Sequence, residues 1–238
     1  MQLMSLHTLD HMFPNNLSET PLSPLLTHET LRRVAWAVFF SDSILDGGRY
    51  GSGLVDINKF YIQLPCNEQS FLGNDNSKTE SIFAPPSGAT GLSGYIIRCV
   101  LLRRRAMDIF HRLSHDDYQL SNIEADLAAV EASVAEMTSS LPARYHFTAD
   151  NTYLHRKRLP AFLLVHIMLH MLYNGTGSIK LRLYKKDSRL EHLIPDVRRQ
   201  RITHALAVSA IFAEGLKLTK IFCLHAAAVA YIVLESKS

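Results

Sequence analysis

Charge of one sign, cysteine pairs, leader signals and enzyme signatures are all scarce in this chain. Lysine and arginine (25) barely exceed aspartate and glutamate (22), and the isoelectric point of about 8.7 falls short of the basic balance by which a dedicated nucleic-acid-binding domain neutralises phosphates. The cysteines are Cys66, Cys99 and Cys223, far apart and odd in number. They form no Cys-x-x-Cys pair, which excludes a local zinc knuckle, a redox dithiol or a disulfide framework. An isolated cysteine reads as a small buried apolar residue, and a reducing compartment fits. No lysine or arginine precedes Arg32, so neither a signal peptide nor a mitochondrial transit peptide is expected. The triplets Asn16-Leu-Ser and Asn174-Gly-Thr therefore carry little weight as glycosylation sites.

The longest apolar runs, Leu159–Tyr173 and Ile221–Leu234, are shorter than the ~20 residues of a spanning helix. They read as buried helices, and no membrane partner is expected. There is no Gly-x-Ser-x-Gly elbow, no phosphate loop ending in Gly-Lys-Ser/Thr and no dinucleotide fingerprint. The glycines Gly88, Gly91 and Gly94 follow a Pro-Pro pair rather than a strand, which reads as flexible loop. No enzyme and no catalytic residue are predicted.

What is present is helical pattern. With 47% hydrophobic residues the chain can bury a sizeable core. Residues 1–26 read as an irregular segment, since Pro14, Pro21 and Pro24 block a long helix. A helix is predicted from a Thr27 N-cap to about Asp42 or Leu45. Its wheel places Leu31, Val34, Ala35, Val38 and Leu45 on one arc, with Trp36, Phe39 and Phe40 apolar on much of the rest. Asp42 falls inside that arc, where a carboxylate needs partners. Nearby backbone or Arg49 is expected to supply them. Residues 46–91 look largely non-repetitive, with short extended pieces before Pro65 and an exposed loop at 73–91.

Helix resumes over Leu92–Leu113. Ser121 and Glu124 then form a capping box ahead of the seam Ile123, Leu127, Val130, Val134 and Met137. Pro160 opens another helix that ends near Tyr173, where Asn174-Gly-Thr-Gly is expected to break it. A basic segment follows, and Pro195 opens a long helix through Val197, Ala205, Ser209, Phe212 and Leu216. The last run, Ile221–Leu234, reads as an apolar helix. The fold class is all-α, an irregular multi-helix array with long loops and no substantial sheet.

Two further patterns bear on chemistry. His166 and His170, four apart on one helix, could face a metal ion. No glutamate follows His166 as a zinc-protease motif requires, and no third ligand is evident, so hydrogen-bonded core histidines are the better account. Basic clusters occur at Arg103–Arg105, Arg156–Arg158, Lys180–Lys186 and Arg198–Arg201. They are scattered, and Glu124, Asp126, Glu131 and Glu136 offer partners, so internal ion pairs and solvated faces account for them better than nucleic acid does.

The stretch Glu29-Thr-Leu-Arg-Arg-Val-Ala-Trp-Ala-Val-Phe-Phe-Ser-Asp-Ser, followed by Gly48-Arg and Leu64-Pro-Cys-Asn-Glu, resembles the fungal-specific transcription factor domain, or middle homology region. Arg32, Arg33, Trp36, Asp42, Gly48, Leu64 and Pro65 match that family's pattern, and at the level of the residues they read as structural. Tyr50, Ser43 and the insertion-like Asn174–Ser178 depart from it.

The resemblance implies a helical regulatory domain over 27–238, N-terminally truncated relative to the family, in a nuclear transcription factor. Zinc would belong to a separate DNA-binding domain, so DNA would be a partner only indirectly and no cofactor is expected in this chain. Co-regulators, a homodimer partner or a small-molecule effector are the implied partners. The alternative is a helical small-molecule-binding protein or enzyme with a site near His166 and His170.

Overall fold

The structure, a computed structural model, describes residues 24–45, 53–75, 78–114 and 120–218. It is all-α, as expected. Seven helices are present among these residues: α1 (Pro24–Leu45), α2 (Glu68–Leu72), α3 (Leu92–Ser114), α4 (Leu120–Ser139), α5 (Ala149–Leu154), α6 (Leu159–Tyr184) and α7 (Ile194–Leu218). Short 3-10 turns lie between several of them. Extended pairing is limited to two isolated bridges, Gln63 with Ser81 and Cys66 with Thr90. The chain divides into two compact units, Met1–Val100 and Leu101–Ser238.

In the first unit α1 begins at Pro24, so the proline expected to block a helix opens it and Thr27 lies inside the first turns. Proline is tolerated there because the first backbone N–H groups have no intrahelical acceptor. The buried face also differs from the predicted arc. Val34 and Val38 are 55% and 45% exposed, whereas Trp36 and Phe39 are essentially inaccessible. Two aromatic rings remove more apolar area from water than two valines, and that difference sets the rotation of the helix. Trp36 meets Phe39 and Phe60 edge-on, with ring centres 5.6 and 5.1 Å away.

The segment read as an exposed loop, 73–91, is partly core. Thr79, Ile82 and Thr90 are buried, the Leu64 N–H donates to the Glu80 carbonyl at 2.9 Å, and the Thr79 hydroxyl donates to the Leu64 carbonyl. Gly91 is a packing contact, not a flexible hinge, since a Cβ there would lie 2.9 Å from the Asn67 Cα.

The second unit is built on α4, α6 and α7. All five seam residues of α4, from Ile123 to Met137, are buried, as their spacing requires. The helix is described from Leu120, and the Ser121 side chain of the expected capping box lies outside what the structure describes. Lys180 reaches Glu131 at 2.7 Å and Arg112 reaches Asp126 at 2.6 Å, so acidic residues of α4 do pair with basic ones elsewhere in the unit.

The largest correction concerns Asn174-Gly-Thr-Gly, which does not break its helix: α6 runs without interruption from Leu159 to Tyr184. The polar groups are satisfied in place. The Thr176 and Ser178 hydroxyls donate to the carbonyls of Tyr173 and Asn174, and the Asn174 Oδ1 accepts from Arg201 Nε on α7 at 2.8 Å. Gly177 lets the Arg201 stem cross, because a Cβ there would stand 2.7 Å from Arg201 Cγ. An uninterrupted α6 also makes Arg156–Tyr184 long and apolar enough to cross a membrane by length and composition, although 56% of its most apolar window is buried.

The buried residues of α7 are Val197, Val208, Ile211 and Gly215, with Arg201 and His204 on the same side. The helix runs through Val197, Ala205, Ser209, Phe212 and Leu216 as expected, with Ser209 and Leu216 exposed, Leu216 at 62%. The run Ile221–Leu234 lies outside the described residues.

The two glycines of α6 give a paired test. Gly175 has open space at its Cβ position, so Gly175→Ala should raise stability by up to about 1 kcal/mol through helix propensity alone. Gly177→Ala should forfeit that gain against the Arg201 stem. Thermal unfolding of both variants checks this, and equal stabilisation by the two would refute the close crossing.

Candidate functional site

The residues that carry the family pattern converge in the first unit. Glu29, 7% exposed, is the centre. Its Oε1 accepts from Arg33 Nε at 3.0 Å and from the Cys66 N–H at 3.0 Å, and its Oε2 accepts from Arg32 at 2.6 Å. The rest of the Arg33 fork reaches the Glu68 carboxylate at 2.7 Å and the Cys66 carbonyl at 2.9 Å. Burial works against the Arg33 cation, but the hydrogen bonds and charges of Glu68 and Glu29 outweigh it and raise its pKa. The guanidinium also lies 4.2 Å over the Phe71 ring.

One turn on, Trp36 Nε1 donates to the Gln63 carbonyl at 2.8 Å. Asp42 accepts from the N–H groups of Leu54 (2.8 Å) and Val55 (3.0 Å), which is the backbone partnership expected of it. Leu64 and Pro65 are buried between these anchors. Gly48, Arg49 and Tyr50 lie outside the described residues.

Six of the seven motif residues are therefore placed: Arg33, Trp36 and Asp42 bind the segment 54–68, Leu64 and Pro65 lie in it, and Arg32 pairs with Glu29 on its own helix. The sequence reading did not mark Glu29 and Glu68 as members of this network. The signal for Glu29 was its spacing, three and four residues before Arg32 and Arg33, which puts all three on one helical face. A second ion pair, Glu80 with Arg98 at 3.2 Å, ties the 80–82 segment to α3, where Arg98 also donates to the Ile82 carbonyl. Ser43, which departs from the family pattern, is buried.

The other candidate group lies in the second unit. His166 is packed among Phe147 and Phe162, with ring centres 5.3 and 5.0 Å away. Burial, opposed by a hydrogen bond with the Tyr145 backbone, pushes its pKa down to about 4. Its Nε2 is buried with no hydrogen-bond partner among the described residues. His170 lies one turn on. Its Nδ1 faces His204 Nδ1 of α7 at 2.9 Å, and His204 stacks on Tyr173 with ring centres 4.7 Å apart. Among the described residues no group of three or more metal-ligating side chains converges. Cys66 and Cys99 are buried, and burial raises the Cys99 thiol to about 12. Cys223 lies outside the described residues.

No protein-family model, no curated protein and no solved structure matches this chain.

Two outcomes follow. The paired arginines should behave differently: Arg33→Ala removes the cation that Glu29 and Glu68 share and should cost roughly 3 kcal/mol, whereas Arg32→Ala removes one partly exposed partner and should cost under about 1 kcal/mol. Urea unfolding of both variants decides it.

For His166 the sign is that of a base buried neutral. Its contribution is fully present above its ordinary value of 6.5 and is lost as pH falls towards about 4, because only the unfolded chain takes up the proton over that window. The loss should amount to about 3 kcal/mol at its limit. His166→Phe should abolish this part of the acid sensitivity, and unfolding measured at pH 7 and pH 4.5 is the check.

Proposed function

We propose that this chain is a regulatory helical domain of a fungal nuclear transcription factor, one that modulates transcription through effector sensing or protein contacts and catalyses no reaction. The single observation that supports this reading is the closure of the motif network. The residues by which the sequence resembles the fungal-specific domain are linked through Glu29, Arg33, Trp36 and Asp42 to the backbone of residues 54–66. In this reading DNA contact and zinc belong to a separate domain, and a co-regulator, a second copy or a small molecule acts on the helical array by favouring one of its conformations.

A second reading, a helical small-molecule binder or enzyme with its site near His166 and His170, has the unpartnered Nε2 of His166 in its favour. Binding of a metabolite by the purified chain, lost in His166→Ala, would support it over the first.

The test of the first reading is a fusion of the chain to a heterologous DNA-binding domain, assayed on a reporter in a fungal host. The fusion should localise to the nucleus and change reporter output severalfold, and Trp36→Ala should remove the change. A folded, nuclear fusion that leaves the reporter unmoved would overturn the proposal.

A further inference from the structure

The contact between His170 and His204 is unusual in its direction. The two Nδ1 atoms are 2.9 Å apart and the ring centres 5.2 Å apart. An imidazole centre lies about 1.1 Å from its ring nitrogen, so 5.2 Å is about the largest separation the N···N distance allows. The rings therefore point head-on, each nitrogen aimed along the axis of the other. Two ligands of one metal ion would both aim at a third point away from that axis, and their ring centres would then lie closer together for the same N···N distance. This arrangement is a hydrogen bond and not a chelate.

A head-on pair has room for one proton. In the neutral pair one ring carries Nδ1–H and donates, and the other keeps its Nδ1 lone pair and carries its proton on Nε2. Adding one proton places N–H on both Nε2 atoms and leaves the shared Nδ1 proton where it was, now in a charge-assisted bond. Adding a second puts N–H against N–H and like charge against like charge, and the contact cannot survive.

The setting favours such a device. The bond joins α6 to α7 one turn from the Asn174–Arg201 hydrogen bond, so it lies at the crossing of the two longest helices of the unit. The titratable and charged groups around it are His166 one turn back on α6, Tyr173 stacked on His204, and Arg201 one turn back on α7. From α4, Thr138 meets the Tyr173 hydroxyl at 3.3 Å. Among the described residues no carboxylate lies within ion-pair distance of either imidazole. Nothing there neutralises a second positive charge.

We propose that His170 and His204 form a one-proton latch between α6 and α7, closed when the pair holds no extra proton or one, and opened by the second. This goes beyond the regulatory reading above and does not depend on it.

The test is a double-mutant cycle on the full chain, with H170L, H204L and H170L/H204L, followed by unfolding between pH 7.5 and 4.5. The latched pair binds one proton fewer than two separated imidazoles. The coupling between the two positions should therefore favour the fold at pH 7.5 and weaken by about tenfold per pH unit once the lone histidine of each single variant is protonated. His166 interacts electrostatically with His170, so the cycle is run in an H166F background, which removes its titration from all four proteins. A coupling that stays constant with pH would overturn the latch.

Should a leucine variant fail to fold, nitrogen NMR of the unmodified chain near pH 7.5 decides the matter. One ring must be the Nδ1–H tautomer and the other the Nε2–H tautomer. Two Nε2–H rings, or stabilisation by added zinc chloride that H204L removes, would each refute it.

Discussion

A carboxylate withdrawn from water must be given both a counter-charge and hydrogen bonds, and Glu29 places that demand at the middle of the first unit. One arginine is not enough to meet it, because each oxygen accepts more than one bond and an idle lone pair in a low-dielectric site is expensive. The solution brings three parts of the chain together: the side chains of α1, the Cys66 peptide and, through the far side of the Arg33 fork, Glu68 at the start of α2. Arginine suits the position because its planar fork can serve two carboxylates and a carbonyl at once, which an ammonium group could not do with the same geometry. The rotation of α1 follows. Once Glu29 and Arg33 face the 63–68 segment, Trp36 arrives one turn later against Gln63 and Phe60, and Val34 and Val38 are turned outward.

The same logic explains which parts of the fold were legible in the residues. The α4 seam and the extent of α3 depend on local periodicity, and the sequence carries that directly. The face of α1 was misread because a wheel that treats apolar residues alike does not weigh two rings against two valines, nor a buried glutamate against a surface one. The continuity of α6 through Asn174-Gly-Thr-Gly was misread for a different reason. Those residues break a helix only if their polar groups have nothing better to do. Here the hydroxyls return to the helix's own carbonyls, and Asn174 meets an arginine 27 positions away. That partner cannot be seen in a local window, and neither can the need for a glycine beneath its stem.

The candidate site was legible to a similar degree. The motif positions were read from residue type and spacing, and five of them meet at one segment. Apart from the backbone partners expected for Asp42, their meeting points were not legible, since most are backbone atoms: the N–H groups of Leu54, Val55 and Cys66 and the carbonyls of Gln63 and Cys66. Backbone acceptors and donors have no letter in a sequence. The same limit hid His204 as the partner of His170, for the two lie 34 positions apart on different helices and only their packing brings the nitrogens into line.

Both oxygens of Glu29 and of Asp42, the indole N–H of Trp36 and every nitrogen of the Arg33 fork are already engaged with the chain itself. Turning such a group away from one of these partners would cost of the order of 1–3 kcal/mol for each bond left unmade. These bonds fix α1 against the 54–66 segment, which sets a fixed contact apart from one that can switch. In the second unit that distinction is sharp: the Asn174–Arg201 bond and the Gly177 crossing fix how α6 and α7 meet, whereas the histidine pair beside them makes one point of that contact depend on a single proton.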